Sequence, residues 1–371
     1  MGQTCFMSVI LQSLIHNPII RTFYLSEGHR KEDCEREACT SCALDDIFTD
    51  FFGQEKHEGY GAVHMLQGCW KGGGGLAGYN QQDAHEYLGF LLNSLHTANT
   101  SDDDDANPSI TQPKDAAVKD CTCVIHQTFG GLLKSTVTCS ACHTTTTALD
   151  PFMDLSLDIR NSATTIKQKK LKHINGTSSV KETLPMDLTE CLDRFTAAET
   201  LSAEGGNYNC TTCGGAQEAK KRLSLARLTP VVPIHLKRFR HEKTLSTSSK
   251  VETKIRFPLT LDLTPFTTSS SSKSKGDIAL TNGTAVNDPD GKPVKHEENG
   301  DEYVPPEAIY ELSSVVVHKG KIDNGHYISY SRQDEDWFRF DDSMVVQVHE
   351  KEALGCEAYM LFYVIRELEG W

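Results

Sequence analysis

The chain has 371 residues and a formal net charge of −14, from 51 acidic and 37 basic residues, which argues against direct nucleic-acid binding and permits attraction to a basic protein partner. There is no apolar run of bilayer length and no N-terminal basic head with an apolar core and cleavage site, so neither a membrane nor a secreted protein is expected. The 13 cysteines, many spaced C-x-x-C or C-x-C, read as metal ligands of a reducing compartment rather than as disulfides.

In chain order, Cys5 is followed by Phe6, Val9, Ile10, Leu11 and Leu14 near helical spacing, and Asn17-Pro18 ends the pattern. Cys5 therefore falls at a helix N-terminus, where unpaired N–H groups and the helix dipole favour a thiolate nucleophile. A buried structural cysteine is the other reading of this residue. His29, Cys34, Cys39 and Cys42 offer four soft or borderline ligands within 14 residues, suited to tetrahedral zinc; scattered loop thiols are the alternative.

Leu44 to Phe52 predicts an amphipathic helix with Leu44, Ile47, Phe48 and Phe51 on one face. Gly72–Gly75 reads as loop, and a stripe of Leu88, Leu91, Leu92 and Leu95 predicts another helix. Gln82, Asp83 and Glu86 gather acceptors at its start, either to cap it or to hold a basic peptide. Residues 98–119 read as a disordered insertion, as do 160–182 and 267–300. Within the second of these, Lys167-Gln168-Lys169-Lys170 is a nuclear signal or a solvated loop. Cys121, Cys123 and His126 need a fourth ligand to complete a zinc site, for which His96 is the candidate.

Leu132–Thr138 predicts a strand running into Cys139-x2-Cys142, and Cys210-x2-Cys213 repeats the motif, as in a zinc ribbon bracing thin β-fingers. Val231–Phe239 reads as a buried strand in which Pro233 calls for an edge or a bulge. The C-terminal region predicts strands at Tyr310–Val317, His326–Ser331, Trp337–Phe340 and Ala358–Val364, with a turn over Lys319–Gly325. His326 stands where that turn enters a strand, and Asp341 and Asp342 end the next strand. Antiparallel pairing of the two strands brings a carboxylate to the imidazole. A nucleophilic thiol needs such a base, and the base needs an acceptor that fixes its tautomer. A surface histidine in a turn is the plainer reading.

The boxes Gly2–Met7, Gln81–Leu88, the paired C-x-x-C motifs, His235–Phe239, Gly325-His326-Tyr327 and Trp337-x2-Phe340-Asp341-Asp342 stand in one order. Together they resemble the catalytic domain of the ubiquitin-specific protease family over essentially the whole chain. The His29/Cys34/Cys39/Cys42 and Cys121/Cys123/His126 clusters resemble the branch that holds the histone deubiquitinase subunit of the SAGA coactivator. The resemblance implies an α+β, papain-like fold forming a single catalytic domain. A helical thumb would span 1–97, and a palm and zinc-braced β-fingers 120–265 and 303–371. It implies Cys5 as nucleophile, His326 as base and then acid, Asp341 as orienting acceptor and Asp342 as an assisting residue. Gln82, Asp83 and Glu86 would meet the basic tail of ubiquitin. Two to three structural zinc sites, ubiquitinated histone as substrate, SAGA-type module subunits as partners and a nuclear location (otherwise cytoplasmic) are also implied.

The family usually places an oxyanion-stabilising Asn five positions before the cysteine, whereas this sequence starts four positions before Cys5. Losing one such donor typically costs ~10²–10³ in rate, so a weakened enzyme or a ubiquitin-binding scaffold is the alternative expectation.

Overall fold

The computed structural model describes residues 4–53, 61–71, 82–100, 121–159, 185–202, 208–242, 247–268, 308–321 and 324–367. Its N-terminal part is helical: α1 (Cys5–Ile15), α2 (Pro18–Leu25), α3 (Thr40–Gly53), α4 (Val63–Lys71), α5 (Ala84–Ala98) and α6 (Val124–Phe129). Asn17-Pro18 does end α1, but it also starts α2. The Asn17 side chain accepts from the N–H groups of Ile19 and Ile20, and Pro18 occupies a first-turn position where its missing donor costs nothing. Helix α3 begins at Thr40, four residues before the expected start, and buries Leu44, Ile47 and Phe48; Phe51, expected on that face, is 39% exposed. The leucine stripe of α5 is buried as its spacing requires. Among the described residues no helix is long and apolar enough to cross a membrane.

The strands begin with β1 (Gly131–Cys139), β2 (Thr145–Phe152), β3 (Leu155–Asp158) and β4 (Met186–Asp187), followed by α7 (Leu188–Phe195). Next come β5 (Glu199–Leu201), β6 (Asn209–Cys210), β7 (Gly215–Ala216), β8 (Ala219–Arg227), β9 (Val231–Lys237), β10 (Phe239–Glu242) and β11 (Thr247–Lys250). Short β12 (Ile255–Arg256) and β13 (Thr260–Asp262) lead to β14 (Ile309–Lys321), β15 (Asn324–Gln333), β16 (Asp336–Asp341) and β17 (Met344–Val348). Helix α8 (Glu350–Gly355) and β18 (Ala358–Ile365) complete the chain.

The main sheet runs β17-β16-β15-β14-β18-β9-β3, with β13 beside β14, and a second sheet runs β2-β1-β8-β5. Three expectations change here. The turn expected over Lys319–Gly325 is much shorter, because β14 reaches Lys321 and β15 starts at Asn324; His326 thus lies inside a ladder, opposite Lys319. Pro233 sits neither on an edge strand nor in a bulge, since β9 lies between β18 and β3. It is tolerated because β3 begins pairing only at Ile234, one residue later. Finally, the first residues of the segments 98–119 and 267–300, expected to be disordered, are ordered. Ala98 closes α5, Asn99 bonds Ser41, and the Thr268 N–H donates to Leu225; the rest of both segments, and all of 160–182, lie outside the described residues.

Both faces of the main sheet are covered. Helices α1–α6 pack on the face carrying Val231, Val316, Tyr327 and Phe362, and α7, α8 and the short strands lie with Ile234, Val317, Leu361 and Tyr363 on the other. Alternation along β18 slips once. Val316 pairs with Met360 but Val317 with Ala358, so Tyr359 is an extra residue and turns to the helical side together with Met360.

Candidate active site

Helix α1 starts at Cys5, which is buried at 7% exposure in the apolar layer shared with Tyr327 of β15. Its preceding residue, Thr4, makes no side-chain cap, unlike Asn17 before α2 and Asp83 before α5. The Met7 and Ser8 N–H groups donate to the Thr4 carbonyl, and the N–H groups of Cys5 and Phe6 head the helix beside the thiol, where an anion is favoured. Helix α1 packs on β15, the strand that carries His326.

On β15 and β16 the antiparallel register Ser329↔Phe340 carries His326 and Asp341 to the same end of the hairpin. There the His326 Nε2 lies 2.7 Å from Asp341 Oδ1. A carboxylate only accepts, so Nε2 carries the proton and Nδ1 of the neutral ring keeps its lone pair. Asp342 follows in the tight β16–β17 connection with φ 51°, a left-handed conformation that Asp tolerates. Its carboxylate, that of Asp341 and the His326 ring offer atoms within 4.8 Å of one another.

Of the three acceptors at the start of α5, Asp83 is the cap. Its Oδ1 accepts from the N–H groups of His85 (2.7 Å) and Glu86 (3.2 Å), and its Oδ2 accepts from the Tyr359 hydroxyl. Both carboxylate oxygens are thus engaged within the protein. Glu86 is exposed and Gln82 half-buried. Beyond Asp83, His85 contacts Asp154 at 3.0 Å and stacks on His235 at 3.9 Å, and Ser156 bonds the His235 Nδ1 at 2.9 Å. Burial alone would lower the His85 pKa, but the Asp154 contact outweighs it and raises it. His235 is driven down to about 4 by burial and by the charge of His85. The sequence reading assigned no role to Tyr359, Tyr327, His85 or His235; the uninterrupted apolar run around Tyr359 was the one available hint.

Three further clusters gather ligands, and the structure brings every expected member together: His29, Cys34, Cys39 and Cys42; His96, Cys121, Cys123 and His126; and Cys139, Cys142, Cys210 and Cys213. In the last, Sγ pairs lie at 4.0 Å (Cys139–Cys213) and 3.5 Å (Cys142–Cys210). Four sulfurs around one zinc at ~2.3 Å lie roughly 3.8 Å apart, so the donor set fits the ion. In the second, His96 Nδ1 is 3.3 Å from Cys123 and 3.7 Å from Cys121, the place of a fourth ligand. In the first, His29 Nε2 lies 3.2 Å from Cys42 and 3.7 Å from Cys39. All these cysteines are free thiols.

A family model described as ubiquitin carboxyl-terminal hydrolase matches residues 1–363. The chain is 35% identical to ubiquitin C-terminal hydrolase 22 of Arabidopsis thaliana over 98% of its length, and 36% identical to ubiquitin carboxyl-terminal hydrolase 22 of Homo sapiens over 100%. It spans 62% and 65% of those two relatives. Among solved structures, the SAGA Ubp8/Sgf11/Sus1/Sgf73 DUB module bound to ubiquitin aldehyde contains a chain that superposes with a TM-score of 0.72 at 33% identity. That match covers 99% of this chain and 68% of the other.

Proposed function

Since the chain belongs to the ubiquitin carboxyl-terminal hydrolase family and has its papain-like α+β fold, we propose that it is a thiol-dependent deubiquitinase cleaving after the C-terminal glycine of ubiquitin. The observation that carries this is the His326–Asp341 bond, which leaves Nδ1 as a base on the strand against which the Cys5 helix packs. His326 takes the Cys5 proton, and the thiolate attacks the isopeptide carbonyl. The uncapped N–H groups of α1 stabilise the oxyanion, each such donor contributing roughly 3–4 kcal/mol. As the tetrahedral intermediate collapses, His326 returns the proton to the leaving amine and a thioester forms. Water, deprotonated by the same imidazole, hydrolyses it. Asp341 holds the tautomer, and Asp342 assists at the same corner. Glu86 and Gln82 face the basic tail of ubiquitin, whereas Asp83 serves that surface indirectly, by holding the start of α5.

Zinc, which the three ligand clusters would hold, would brace the folded chain and take no part in the chemistry. The substrate we assign is ubiquitinated histone, within a SAGA-type module in the nucleus. The support is the likeness to the SAGA DUB module structure, together with an acidic chain suited to a basic partner. The test is hydrolysis of a ubiquitin C-terminal fluorogenic amide and of mono-ubiquitinated nucleosomes, with Cys5→Ala as control. Release of free ubiquitin by the wild type alone supports the reading. Binding without hydrolysis would leave a scaffold instead.

A further inference from the structure

The stretch His235–Phe239, singled out in the sequence, lies away from the reacting atoms, yet it encloses one side chain. The His235 and Phe239 rings flank Tyr359 at 5.1 and 5.4 Å, and the Arg238 guanidinium, 1% exposed, donates from Nε to the carbonyl of Ala358 at 2.6 Å. Arg238 also donates through Nη1 to the carbonyls of Val251 and Thr253, so it is anchored on both sides of that contact. Ala358 immediately precedes the bulge that turns Tyr359 toward the helices. Burial keeps the Tyr359 hydroxyl protonated, and as a donor it reaches Asp83.

Two more contacts converge on the same turn of α5. The Ala84 N–H lies 3.4 Å from the hydroxyl oxygen of Tyr327, the residue after His326. The ring of Phe6, the residue after Cys5, packs edge-on against Tyr87 at 5.3 Å. The first turn of α5 is therefore the common reference for the nucleophile's helix and the base's strand. Resting on the enzyme reading above, we propose that Tyr359 is a positioning residue for the Cys5–His326 pair. Its bond to Asp83 fixes the turn from which both side chains take their place, and the His235–Phe239 stretch exists to aim it.

The experiment compares wild type with Tyr359→Phe, which keeps the ring, and with Tyr327→Phe, which loosens the second tie if the first variant is too unstable to assay. Two readouts are taken: kcat and KM on the ubiquitin amide, and the pH profile of Cys5 alkylation by iodoacetamide, resolved by peptide mass. The expected result is a kcat about tenfold lower with KM within twofold. Cys5 alkylation at neutral pH should slow by a similar factor, the difference narrowing as pH rises. Unchanged kcat with superimposable alkylation profiles would overturn the proposal, as would an effect confined to KM. If the wild type does not hydrolyse the amide, the enzyme reading fails, while the alkylation profiles still decide whether Tyr359 governs the pairing of Cys5 with His326.

Discussion

The body built on the main sheet and the narrow second sheet use the same strand chemistry with opposite means of support. In the body, apolar layers cover both faces, and residues such as Leu14, Phe129 and Leu361 are excluded from water. In the second sheet, every residue of β2 but Phe152 is exposed, and the residues buried toward its far end are Cys139 and Ala219, with Cys210 of the adjoining β6. Two of those three are cysteines of the Cys139/Cys142/Cys210/Cys213 cluster. One region is held by removal of hydrocarbon from water, whereas the other gathers four thiols that a metal ion would close. The proposed chemistry, which needs tight placement, falls in the first, and a reach toward a large partner suits the second.

The comparison breaks most visibly at the reacting groups. Asp341→Asn should lower kcat on the order of 10³–10⁴, as expected when an imidazole loses the partner that fixes its tautomer, with the melting temperature little changed. Leu14→Ala, in the body, should cost about 2–5 kcal/mol of unfolding free energy in urea titrations. Cys210→Ser should instead leave the body's transition intact. It should abolish hydrogen-exchange protection at β6, β7 and the adjoining end of β1, remove one zinc ion per chain by elemental analysis, and raise KM for ubiquitin roughly tenfold.

Acidification should weaken the body by a smaller amount. Burial lowers the pKa values of His235 and His318 to about 4, against an ordinary value near 6.5 when unfolded. Between those values the unfolded chain binds more protons. The stability these groups contribute is therefore present above pH 6.5 and is lost as pH falls toward 4. His85 acts in reverse: its pKa is raised, so its contribution is complete below pH 6.5 and fades as pH rises through the raised value. The two depressed groups outweigh the one raised, and melting curves from pH 7 to 5 should show a loss on the order of 1–3 kcal/mol that shrinks in His318→Gln. Smallest of all, Leu149→Ala on exposed β2 should stay within about 0.5 kcal/mol.

Much of the site was legible in the sequence because its parts are local. Cys5 begins an apolar helical period, each C-x-x-C declares two ligands, and fifteen positions separate His326 from the carboxylate that binds it. The place of His96 in the Cys121/Cys123/His126 cluster was also readable, since it lies near the end of a helix whose stripe is plain. What could not be read depends on distant register. A single extra residue in β18 decides which way Tyr359 faces, and no local pattern marks it. Pro233 misled because its tolerance depends on where β3 starts. Local pattern favoured a cap for Asp83 and the family resemblance a substrate contact, and only the approach of Tyr359, 276 residues later, engages its second oxygen.

The account stands on Cys5 being activated by His326. Ubiquitin carrying a C-terminal electrophile should form one covalent adduct, mapped by peptide mass to Cys5. The adduct should form at least a hundredfold more slowly in His326→Ala and be absent in Cys5→Ala. Capture at another cysteine, or capture at Cys5 at an undiminished rate without His326, would contradict it.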